Sequence, residues 1–159
     1  DSASLVTLPG TVLLYRNLFA STSGAVDFQS SFISGAYLGF TEPGMRLNPS
    51  ALSVNFVDLE DTAIELFLGG TQPAAQGAVG PGHYANIQGG IVSLENTALS
   101  VNTIFDFVPT AGDEFTIVAA SIDLEGTFVN YSVGDVVATF GDVSLVISYF
   151  EDRIVLTAQ

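Results

Sequence analysis

Apolar and polar residues take turns along most of this chain, and that alternation limits its fold more than any other feature. Leu52, Val54 and Phe56 are separated by Ser53 and Asn55, and Ile64, Leu66 and Leu68 follow, with Glu65 between the first two. Leu99 and Val101 lie between Ala98, Ser100 and Asn102. Further on, Val143, Leu145, Ile147 and Tyr149 alternate with Ser144, Val146 and Ser148, and Ile154 and Leu156 repeat the pattern. Successive side chains of a β-strand point to opposite faces, so a period of two marks half-buried strands. No window carries a capped stripe of period 3.6, so little or no helix is expected. Twelve Phe and many β-branched residues suit pleated surfaces equally well. The expected class is all-β, and 159 residues suit one domain, 1–159, around a single core.

Turn chemistry separates these strands at STSG (21–24), TEPGMRLNPS (41–50), PTAGDE (109–114) and VGD (133–135). The longest break, GGTQPAAQGAVGPG (69–82), reads as a Gly/Pro-rich loop protruding from a regular body, and His83 at its end reads as a solvated loop histidine. Residues 1–20, with the apolar run SLVTLPGTVLLY (4–15), read either as a first strand or as an arm that exchanges with a neighbouring subunit.

Three hexapeptides repeat: VDLEDT (57–62), VSLENT (92–97) and IDLEGT (122–127). Their fifth residues, Asp61, Asn96 and Gly126, are types that tolerate a left-handed backbone. Each copy therefore reads as strand, one-residue corner, strand, with Leu59, Leu94 and Leu124 pointing into the core. The copies are 35 and 30 residues apart, and removing the protruding loop brings the first spacing to the low twenties, about one coil of a solenoid. A parallel β-helix-like β-solenoid is the favoured architecture. An antiparallel β-sandwich or jelly roll stays open as the alternative.

Seventeen acidic residues face three basic ones, Arg16, Arg46 and Arg153, for a net charge of −14. Nucleic acid needs clustered Lys and Arg and is excluded as a partner. Anionic membrane surfaces are disfavoured for the same reason, and TVLLY is too short to span a bilayer. Without cysteine there is no disulfide framework and no thiolate metal site. The opening DSAS suits a mature terminus left by signal cleavage, so an extracellular or cell-surface location is expected.

Stacked corners would set Glu60, Glu95 and Glu125 in a column about 4.8 Å apart, near Asp58, Asp61 and Asp123. Bare like charges at that spacing repel. Either the carboxylates fan into solvent or a cation such as Ca²⁺ sits among them. No nucleophile elbow is present, and paired acids such as Asp113 and Glu114 define a glycosidase only across a cleft. Asn130-Tyr131-Ser132 matches the N-glycosylation pattern, as one such triplet does by chance.

The order of several phrases resembles a family. PGMRLNPSALSVNF (43–56) leads into TAIELFLGGT (62–71), a Gly-rich loop, HYANI (83–87) and GGIVSLENTAL (89–99). FVPTAGDEFTIV (107–118), LEGTF (124–128) and SLVISYFEDRIVLTA (144–158) follow. Together these stretches, about two-thirds of the chain, resemble the C-terminal passenger region of bacterial autotransporter-like surface proteins and exported proteins with a Pro-Glu-Pro sorting tail. The resemblance implies a segment that forms or caps a parallel β-helix on an exported protein, without a shared active site. Phe67 interrupts the Glu-Leu-Gly-Gly phrase, and neither a downstream membrane barrel nor a sorting tail is seen in the sequence. The expected function is non-enzymatic: a secreted structural subunit of a self-assembling fibre or biofilm-matrix filament, joined by β-strand edges. The alternative is a monomeric adhesin or carbohydrate-binding module, which would present Tyr15, Tyr37, Tyr84, Tyr131 and Tyr149 to a polysaccharide.

Overall fold

A computed structural model describes residues 12–20, 25–26, 32–40, 46–47, 51–59, 62–74 and 81–159, with side chains described at 57–59, 62–74 and 81–159. These residues form strands, turns and loops, with no helix among them. The strands are β1 (Val12–Ala20), β2 (Ala25–Val26), β3 (Phe32–Phe40), β4 (Arg46–Leu47), β5 (Ala51–Asp58), β6 (Ala63–Leu68) and β7 (Gln72–Pro73). They continue with β8 (His83–Tyr84), β9 (Asn86–Ser93), β10 (Ala98–Thr103), β11 (Glu114–Glu125), β12 (Val136–Phe140), β13 (Val143–Tyr149) and β14 (Arg153–Ala158).

The chain crosses between two mixed sheets. One has the order β1-β3-β5-β9-β11-β14-β13-β12; the other has the order β2-β4-β6-β8-β7, with β10 also paired to β6. In the larger sheet β1, β3, β5, β9 and β11 run parallel, and β14, β13 and β12 continue it antiparallel. In the smaller sheet β2, β4, β6 and β10 run parallel. A wholly antiparallel sandwich is therefore overturned, because parallel neighbours require a crossover, which each visit to the opposite sheet provides. Val12 pairs with Phe32, Phe32 with Ala51, and Ala51 with Asn86, steps of 20, 19 and 35 residues. The long step contains the excursion through β7 and β8.

Alternation places the core where the sequence expects it. Ile64, Leu66 and Leu68 of β6 are buried, as are Leu99 and Val101 of β10 and Leu145 and Ile147 of β13. β14 departs from the pattern, since Ile154, Val155 and Leu156 are all buried.

Segment 69–82 is corrected at its ends, which are folded into the body. The Gly69 N–H donates to the His83 carbonyl at 2.8 Å, and the Gly82 N–H donates to the Gly69 carbonyl at 2.6 Å. β7 and β8 then pair in parallel, and Ala74 is buried. The buried Asn86 side chain donates to the Ala74 carbonyl at 2.9 Å. Residues 75–80 of that segment lie outside the described residues. His83 is also corrected: it is half-buried within β8 beside buried Tyr84, and its enclosed Nδ1 has no hydrogen-bond partner among the described residues.

Candidate functional site

The repeated corners carry most of the local design. Asn96 has φ 55° and Gly126 has φ 82°, so the fifth position of the second and third copies takes the left-handed turn its residue type allows. Asp61 and Glu60 lie outside the described residues. Leu59 and Leu94 are fully buried, and Leu124 is half-buried against the same core.

The sixth position of the hexapeptide has a role of its own. Thr62 and Thr97 are buried, and both hydroxyls donate to the Leu59 carbonyl, at 2.7 and 2.5 Å. The corner turns the chain out of the strand ladder, and the two threonine hydroxyls join the Thr62 N–H, at 3.2 Å, as donors to that carbonyl. Its signal was visible: Thr is the residue shared by all three copies after the turn.

The copies stack unequally. Asp58 pairs with Ser93, so the first two are in register, but Ser93 pairs with Glu125. The third copy thus stands two residues away from the alignment its sequence suggests, and a bulge between Ala120 and Asp123 contributes one of them. The expected column is corrected accordingly: Glu125 lies beside Ser93, and Gly126 takes the place against the Leu94–Glu95 peptide. A Cβ on Gly126 would stand 3.2 Å from the Glu95 nitrogen. Glu95, Asp123 and Glu125 are exposed, and Asp58 is half-buried. Among the described residues no three His, Asp or Glu side chains gather as a metal site would require.

Other carboxylates have local work. Asp113 accepts from the Thr110 N–H at 2.8 Å, and Asp135 accepts from the Ser132 N–H at 2.7 Å, each locking a tight turn. A groove of about 180 Å³ runs along the paired β6 and β10, lined by Ala63, Glu65, Ala98 and Ser100 with Ile64 and Leu99. It holds one carboxylate, Glu65, which accepts from the Asn102 amide at 2.8 Å.

The described tyrosines are buried, at Tyr84, or half-buried, at Tyr131 and Tyr149. The Tyr131 and Tyr149 hydroxyls donate to the Val137 and Tyr131 carbonyls at 3.2 and 3.0 Å. Burial raises the Tyr84 pKa, opposed by a hydrogen bond with the Thr116 backbone. Burial also raises that of Tyr149, opposed by the Phe128 backbone and reinforced by the charge of Asp135. The side chains of Tyr15 and Tyr37 lie outside the described residues.

The two ends of the sheets differ. At the β12 end, the Asn130 side chain meets the outer edge of β10: its Oδ1 accepts from the Leu99 N–H at 3.0 Å, and its Nδ2 donates to the Leu99 carbonyl at 2.8 Å. One amide thereby imitates the next strand. Asn130→Ala should lower stability by about 1–2 kcal/mol by exposing both groups, read as a fall in urea midpoint with unchanged slope. At the β1 end, no strand among the described residues pairs with the outer edge of β1 or of β2.

Comparison with protein-family models, curated proteins and solved structures finds no match. Among the described residues no helix is long and apolar enough to cross a membrane.

Proposed function

We propose that this chain is a structural protein of the cell surface or extracellular matrix, a β-solenoid with a closed end that associates with further copies through strand edges. One observation carries this reading: parallel strands alternate between two sheets, with an antiparallel unit over one end and, at the other, edges of β1 and β2 that no strand among the described residues pairs with. Successive 20- and 19-residue steps have the length of solenoid coils, with the β7–β8 excursion inserted in one of them. Export and surface placement rest on the resemblance to autotransporter-like passenger ends.

Purified full-length chain, imaged by electron microscopy and sized by light scattering over a wide concentration range, should form assemblies larger than one copy. Running both with and without a calcium chelator separates edge pairing from cation bridging. A monodisperse monomer under every condition would overturn the proposal.

A further inference from the structure

We infer that association is one-ended: the outer edge of β1 pairs with the same edge of a second copy, and strand pairing stops at two molecules. This inference rests on the self-association proposed above and specifies its surface and partner.

Each end of the stack offers a different edge. β1 is nine residues long, VLLYRNLFA, with Arg16 its sole charged residue, and its outer side has no partner strand among the described residues. A long apolar edge is a template for another strand. The opposite end is blunted three times. The Asn130 amide occupies both backbone groups of Leu99 on β10. The terminal strand β12 has five residues, a register break between Val136 and Ala138, and exposed Asp135 and Asp142 just beyond its ends. Residues 121–125 of β11 run past β14, but they carry the exposed carboxylates of Asp123 and Glu125. Short, bulged and charged edges resist pairing.

Charge selects a second copy of the same end. The described strands β1 to β4 carry Arg16 and Arg46 and no acid, whereas residues 58–159 hold fourteen acids against Arg153, a net −13. Two β1 ends meet almost without repulsion while their acidic remainders point apart. Head-to-tail addition would instead press β1 against the closed end, so open-ended growth by edge pairing is blocked. A two-fold, antiparallel β1–β1 contact is the closed solution. Since in-register pairing would set the two Arg16 positions opposite each other, a displacement of two residues pairs Arg16 with Leu14 or Leu18 of the second copy.

Tyr15→Pro and Arg16→Pro test the edge. Neighbouring N–H groups of a strand point to opposite sides, so one substitution removes a bond to β3 and the other removes one from the outer edge. One variant should melt at a lower temperature. The other should keep the wild-type circular dichroism and melt yet dissociate about 100-fold more readily in light scattering. Amide exchange of the unmodified protein supplies the independent measurement. Residues 12–20 should gain protection as concentration rises through the dimer midpoint, and residues 136–140 should not. Wild-type fibres, dimers that persist in a folded outer-edge variant, or concentration-dependent protection at 136–140 would each overturn one-ended pairing and leave self-association standing. A monomer throughout would remove both.

Discussion

Alanine at Gly70 should cost about 3 kcal/mol, the upper end of the range for forcing atoms into filled space. A Cβ there would lie 2.0 Å from the Gly82 carbonyl carbon, 2.1 Å from its Cα and 2.2 Å from its oxygen. All three are backbone atoms, and the Gly82 N–H is tied to the Gly69 carbonyl while its own carbonyl accepts from Gln72. Neither strand can yield without opening the base of the β7–β8 excursion. Gly82→Ala gives the contrast. Gly82 has φ +98°, and among the described residues nothing lies within 4 Å of an added Cβ, so alanine there should cost the left-handed penalty, about 1–2 kcal/mol. Urea unfolding of both variants should rank Gly70→Ala well below Gly82→Ala. The reverse order would mean that the two glycines do not pack as described.

Alternation made the faces of β6, β10 and β13 legible because burial on one side leaves a period-two trace. Neighbours are another matter. Asn96 and Gly126 announced their turns by residue type, yet the two-residue displacement of the third copy left no trace in hydropathy. A slip of two keeps every side chain on its original face, and the bulge between Ala120 and Asp123 supplies only one of those two residues. The Asn130 cap was equally hidden, since its partner Leu99 is 31 residues away and an amide that imitates a strand looks like any polar loop residue. The ends of 69–82 were misjudged for the opposite reason. Gly and Pro mark turns, but there Gly69 and Gly70 are small because two backbones meet, not because the chain protrudes.

Phe115→Ala should produce the largest loss, about 3–5 kcal/mol, a sizeable part of the roughly 5–15 kcal/mol that holds a domain of ordinary stability. Phe115 is fully buried on β11, at the junction where the parallel strands meet the antiparallel unit, and pairs with Leu156 of β14. Its ring stands edge-on to Tyr84, with centroids 5.3 Å apart, and to Phe107 at 6.2 Å. Truncation leaves a cavity beside Tyr84 of β8 and Phe107 and removes both aromatic contacts. Phe115→Leu keeps much of the volume and should recover most of the loss. The variant also carries a signature beyond stability, through Tyr84. Burial holds the Tyr84 phenol protonated above the ordinary tyrosine value. Its contribution is therefore complete below the unfolded-state value and fades as pH climbs from there through the raised folded value. Opening the cavity to water should bring Tyr84 back toward the ordinary value, so ultraviolet titration of still-folded Phe115→Ala should show it ionising at lower pH than in the parent. An unchanged Tyr84 titration alongside a small stability loss would mean that the Phe115 ring does not shield the phenol.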